Sequence, residues 1–104
     1  MKILRDHEGL AIGLTDERFE HILEHPEMKE MAKAIEKTLL HPEHVVESFS
    51  NPRAQLYYRF YSGPWRGDKY VCVIVKVSSD DAFVLTAYLT DRIKNGVTIW
   101  QKEK

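Results

Sequence analysis

At 104 residues, 43% hydrophobic and with a net charge of -1, the chain has the size and balance of one globular domain, 1–104. Such a domain buries roughly two-thirds of its unfolded surface and needs no staples, and its lone cysteine, Cys72, excludes an internal disulfide and fits a reducing cytoplasm. The longest apolar run, residues 71–75, is far short of a membrane span, and Met1-Lys2-Ile3-Leu4-Arg5 has no signal-peptide h-region, so neither membrane nor export is expected.

Residues 2–14 hold two short apolar pieces split by Arg5-Asp6-His7-Glu8-Gly9, which reads as an N-terminal strand or hairpin. Thr15 then stands at a helix N-cap with Asp16 and Glu17 in the first turn, where the helix dipole favours carboxylates. Phe19, Ile22 and Leu23 form a short stripe, and His25-Pro26 stops it. Pro26 suits the first position of a second helix running to about Leu40, with Met28, Met31, Ala32, Ile35 and Leu39 at helical spacing. His41-Pro42 closes that helix, and residues 44–49 read as an edge strand.

The second half is sheet. Residues 70–77, Tyr-Val-Cys-Val-Ile-Val-Lys-Val, are β-branched and apolar on nearly both faces, which predicts a central strand. Residues 54–62 and 82–90 alternate as its two neighbours. A loop over residues 63–68 with Ser62 opposite Lys69 sets Phe60, Tyr58 and Leu56 against Val71, Val73 and Val75. A three-residue loop over 78–80 sets Phe83, Leu85 and Ala87 against the same valines, so one face closes as core. The open face then carries Tyr57, Arg59 and Tyr61, then Tyr70, Cys72 and Lys76, then Thr86, Tyr88 and Thr90. Arg59 and Thr86 flank Cys72 in one row, about 10 Å apart. A slip of one residue would move every side chain of a strand to the other face. Asn95-Gly96 is a turn, and residues 97–100 read as a last short strand anchored by Trp100.

Charge is divided along the chain. Residues 1–50 hold six Lys+Arg against eleven Asp+Glu, residues 51–76 hold five against one, and residues 77–104 hold four of each. The basic excess therefore falls on the strands of the open face, where guanidinium, ammonium, phenol and threonine groups suit a phosphate polyanion.

All five histidines lie in residues 1–44. His21 and His25 are four apart, but His-Ile-Leu-Glu-His lacks the metalloprotease pattern and no clear third ligand follows, so no metal is expected. His21 lies opposite the apolar stripe of its helix, where an imidazole is free to move protons. There is no Gly-rich phosphate loop, no Gly-x-Ser-x-Gly elbow and no paired-cysteine pattern. A cysteine inside a central strand is ordinarily packing.

The ordered set Thr15-x-x-x-Phe19-x-His21-Ile22-x-x-His25-Pro26-Glu27, Glu36-x-Thr38-Leu39-x-x-Pro42, Tyr57-Tyr58-Arg59, Lys69-Tyr70 and Thr86-Ala87-Tyr88 resembles the phage-associated nuclease families of the Barnase, EndoU, colicin and RelE superfamily. The likeness spans about residues 14–100. It implies an α+β domain with two N-terminal helices packed on one face of an antiparallel sheet of about four strands, acting without cofactor as a metal-independent, toxin-like endoribonuclease. It also implies RNA as partner, with an antitoxin or immunity protein to restrain it. The family pattern places a histidine in the first helix, matching His21, an arginine on a strand, matching Arg59, and a Thr or Ser on a late strand, matching Thr86, with Tyr88 and Lys94 as weaker matches. On that pattern His21 moves protons, Arg59 holds the phosphate, and Thr86 with Tyr88 positions it. Tyr57, Tyr61 or Trp65 would stack bases, and Lys69, Lys76 and Lys94 would bind the substrate backbone. The competing expectations are a module that binds RNA or a phosphate ligand without cleaving it, and a relative that docks a partner strand on its sheet edge.

Overall fold

The computed structural model describes residues 1–63 and 67–103. β1 (Lys2–Arg5) and β2 (Ala11–Leu14) form a hairpin, followed by α1 (Asp16–Leu23), a 3-10 turn (Pro26–Met28) and α2 (Ala32–Leu40). Five strands complete the described chain: β3 (His44–Ser48), β4 (Ala54–Gly63), β5 (Gly67–Val77), β6 (Ala82–Thr90) and β7 (Gly96–Gln101). All seven strands join one sheet in the order β1-β2-β6-β5-β4-β3-β7, antiparallel throughout except where β2 runs parallel to β6.

This corrects the expected architecture of two N-terminal helices on a four-stranded antiparallel sheet. The sheet is mixed and seven-stranded, and the helices are inserted after its first hairpin. β3, expected at an edge, is internal because β7 pairs along its outer side. The strands that were undercounted are short: β1 and β2 have four residues each, too few to display an alternation. The helical layer is smaller than expected. Thr15 caps α1 as read, its Oγ1 accepting from the Arg18 amide at 3.1 Å. The second helix starts only at Ala32, because Glu30 adopts φ 66 and turns the chain after the 3-10 segment. Met28, Met31, Ile35 and Leu39 are buried all the same.

The central strand is β5, as its composition requires, but the pairing of β4 with β5 is one residue from the expected register. Ser62 lies opposite Asp68, Phe60 opposite Tyr70, Tyr58 opposite Cys72 and Arg59 opposite Val71. The closing pair is Gly63 with Gly67, the latter at φ 70, so the hairpin is shorter than a loop over 63–68 allows. Every β4 side chain therefore changes face. On β6 the expected faces survive near Thr86, Ala87 and Tyr88, and a bulge after Ile74 brings Val84, rather than Phe83, opposite Val75.

Both sheet faces are packed. Under the helices lie Val45, Tyr57, Val71, Val73, Val75, Val84 and Ala87 with the apolar residues of β1, β2, α1 and α2. On the far face Val46, Leu56, Tyr58 and Cys72 are buried among Tyr70, Ile74, Tyr88 and Ile93. The sheet also curls. Its outer strands are β1 and β7, yet the turn after β1 crosses the helical side and meets both β4 and β7. That turn is built by Asp6, whose Oδ1 accepts from the amides of Glu8 and Leu10, each at 2.9 Å, while Gly9 supplies φ 84. Its Oδ2 accepts from the Tyr57 hydroxyl at 2.8 Å. β7 fits against β3 only because residue 96 is glycine: a Cβ there would lie 2.4 Å from the Glu47 carbonyl oxygen and 2.5 Å from Val46 Cγ1.

Candidate functional site

The register change separates the expected catalytic residues. Arg59 stands in the row of Val71 and Leu89, on the helix side of the sheet. Thr86 pairs with Ile74 and Tyr88 with Cys72, on the opposite side. The row expected to run Arg59, Cys72, Thr86 runs Tyr58, Cys72, Tyr88 instead. Burial pushes the Cys72 thiol up to about 11, against the hydrogen bonds from Tyr88 and Tyr58 that favour its ionisation. Burial likewise pushes Tyr88 up to about 12 and raises Tyr58, so at neutral pH the row is a set of neutral, packed groups. Thr86 is half-buried on that face.

His21 is exposed on α1, its Nδ1 3.2 Å from Glu24 Oε2. α1 lies over β6, two strands away from Arg59 on β4. Tyr57 is only 1% exposed and gives its hydroxyl to Asp6, so its ring is core and not a platform for a base. Its pKa is raised by burial and by that bond. Tyr61 is half-buried and lines a hollow against α2. Lys69 is paired with Asp91, whose carboxyl it holds below the usual range. Lys76 lies on the far face opposite Ala54 and Phe83. Lys94 is exposed there, its amide donating to the Tyr58 hydroxyl at 3.0 Å. Trp65 lies outside the described residues.

The structure does assemble a different set around Arg59. His41-Pro42 stops α2, and the Arg59 guanidinium donates from Nη1 to the His41 carbonyl oxygen at 2.7 Å. A cation is favourable there, where the last carbonyls of a helix lack partners. Glu43 fixes the segment to the sheet: its amide donates to the Tyr58 carbonyl at 2.8 Å, and its Oε1 accepts from the Phe60 amide at 3.2 Å. The Lys102 amide reaches the Glu43 carbonyl at 2.9 Å, which ties the end of β7 to the same place. From the other side comes His7, held by the Asp6 turn, its ring 4.5 Å from that of Trp100 and 6.2 Å, edge-on, from that of Tyr57.

The result is a cleft of about 680 Å³ lined by His7, Glu8, His41, Arg59, Trp100 and Lys102. Such a volume lies in the usual range of ligand sites. It holds two imidazoles, a guanidinium, an ammonium and an indole against one carboxylate, and Glu8 Oε1 sits 3.8 Å from His7 Nε2. Asp6, His7 and Glu8 also bring one possible metal-ligating atom each within 4.8 Å of one another. Both Asp6 oxygens already accept from Glu8, Leu10 and Tyr57, which accounts for the cluster as a hydrogen-bonded turn.

Of the described residues expected from the sequence, only Arg59 enters this cleft. His7 and His41 carry no sequence signal beyond turn placement, and Trp100 reads simply as an anchor. Only the pairing of the first hairpin's turn with β7 brings them together. Among the described residues no helix is long and apolar enough to cross a membrane. No family model, no curated protein and no solved structure matches the chain.

Proposed function

We propose that the protein is a metal-independent endoribonuclease that holds its substrate phosphate on Arg59, in the cleft of His7, His41, Trp100 and Lys102. The observation that carries this reading is the convergence of one guanidinium and two imidazoles on a single cleft. The resemblance to the phage-associated nucleases suggests the same reaction class, and of its pattern only Arg59 is kept in this cleft. RNA brings its own nucleophile, so the protein must supply only proton transfer and a cation for the pentavalent phosphorane. One imidazole takes the proton of the 2′-hydroxyl as that oxygen bonds to phosphorus. The bond from phosphorus to the 5′-oxygen breaks, and the other imidazole protonates the departing oxygen. Arg59 uses one N–H on the His41 carbonyl and keeps the rest of its fork for phosphate oxygens. The products are a 2′,3′-cyclic phosphate and a 5′-hydroxyl. Such an activity in the cytoplasm calls for an antitoxin or immunity protein as partner.

The His7 side chain is only 11% exposed, whereas His41 is open to solvent, and this favours a second reading in which the same cleft grips RNA without cutting it. Total RNA incubated with the protein in EDTA separates the two. Cleavage yields fragments that accept a 5′ label from polynucleotide kinase without prior dephosphorylation, and Arg59→Ala or His41→Ala removes them. Binding with no such fragments leaves the second reading, and cleavage that survives Arg59→Ala overturns the first.

A further inference from the structure

We infer that the substrate is an extended single strand that continues from the Arg59 cleft onto α2, where Lys33 and Lys37 hold its next phosphates. This rests on the reading of the cleft as an RNA site and adds a direction and a strand type to it. Arg59 belongs to two hollows at once. On its other side, between α2 and β4, lies a space of about 340 Å³ lined by Lys33, Lys37, Thr38 and Tyr61, floored by Val71, with Glu30 at its rim as the one carboxylate set against these cations. A shallower hollow lined by Lys33, Glu36, Lys37, Leu40 and His41 joins the two along the helix. The three therefore form one track with shared residues, running from Tyr61 past Arg59 to Trp100.

The charges along it are uncommitted. Among the described residues, none of Lys33, Lys37, Arg59 and Lys102 is in an ion pair, whereas Glu36 is turned toward Lys2 at 3.9 Å and Glu8 toward His7. Lys33 and Lys37 are exposed and one turn apart, about 6 Å along the helix, on the side facing β4. Tyr61 is two residues from Arg59 on the same face of β4, about 7 Å away. Cations spaced at this interval with a half-buried aromatic ring at each end of the track suit a strand whose bases are splayed. Bases stacked inside a duplex could not reach the open face of either ring.

The test measures fluorescence anisotropy with uncleavable 2′-O-methyl oligonucleotides of graded length, in single-stranded and duplex form, against salt. Affinity is expected to rise with single-strand length beyond the dinucleotide. Lys33→Ala/Lys37→Ala should remove that rise, leave dinucleotide binding intact, and make the log-log salt slope for the longer strands shallower by about 1.4, at ~0.7 per lost contact. Both lysines are solvent-facing, so a thermal melt matching the parent chain accompanies the comparison. An unchanged slope while Arg59→Ala abolishes binding overturns the track and leaves the cleft standing. Duplex bound as tightly as single strand overturns the choice of strand. A parent chain that binds neither form overturns the cleft and the track together.

Discussion

Replacing Tyr57 by Phe removes one oxygen from the core and tests how the cleft is held. In the native protein the Tyr57 hydroxyl donates to Asp6 Oδ2 at 2.8 Å, and Asp6 is 5% exposed. Without it, Oδ2 loses its donor while Oδ1 keeps two amide bonds, so a buried carboxylate is left half-satisfied. Hydrogen bonds to charged groups contribute roughly 1.5–3 kcal/mol, and a buried orphan carries its full desolvation penalty. The expected loss is about 2 kcal/mol, or ~10 °C in Tm for a domain of this size. Urea denaturation measures the first and calorimetry the second. Asp6→Ala should cost more, because it also releases the turn, and the double variant should show a coupling of roughly 1–2 kcal/mol between the two sites. RNA cleavage should fall with Tyr57→Phe although this residue touches no substrate, because the Asp6 turn places His7. A variant within about 0.5 kcal/mol of the parent, the range of an ordinary surface change, would refute the account of how the hairpin turn is anchored.

The remaining predictions concern other parts of the chain. His21→Ala should leave cleavage unchanged, while His41→Ala abolishes it, as measured by the appearance of fragments with 5′-hydroxyl ends; the opposite result would return the chemistry to α1. Cys72 should resist thiol reagents at pH 8 until the protein is unfolded, because the thiol is buried and its ionisation suppressed. Burial holds its native pKa at about 11, above the ordinary 9.0, so the folded state keeps the proton that the unfolded chain releases. Stability is therefore untouched by this group below pH 9 and falls as pH rises from there through the native value, by an amount on the order of 2 kcal/mol. Urea midpoints taken up this range should fall more gently in Cys72→Ala than in the parent. Gly96→Ala should destabilise by roughly 1–3 kcal/mol in the same assay, since the added carbon collides with backbone and not with a flexible side-chain tip.

Much of the sheet was legible in the sequence. The central strand, its two neighbours, the Thr15 cap and the closing strand with Trp100 follow from composition and capping, although the turn read at Asn95-Gly96 is absent: Gly96 is already the first residue of β7. The register was not legible, because β4 is aromatic in both of its rows: Leu56, Tyr57 and Tyr58 are consecutive and each is at most 3% exposed. When both faces of a strand are packed, alternation no longer says which row faces the helices, and the hairpin loop alone decides. Here that loop closes on a Gly63–Gly67 pair, and one residue of difference sends Arg59 to the side away from Thr86. The cleft was illegible for another reason. His7, His41, Arg59 and Trp100 come from four separate segments, and no local period links the first hairpin's turn to the last strand.

That hairpin turn also governs when the cleft can exist. His7 lies on the turn after β1 and Trp100 on β7, the first and last strands described, and neither forms a wall of the cleft without the other. A chain in which β7 is not yet paired with β3 therefore has no complete cleft. If the proposed reading of the cleft holds, RNA binding should therefore be absent from any chain in which β7 has not yet docked on β3.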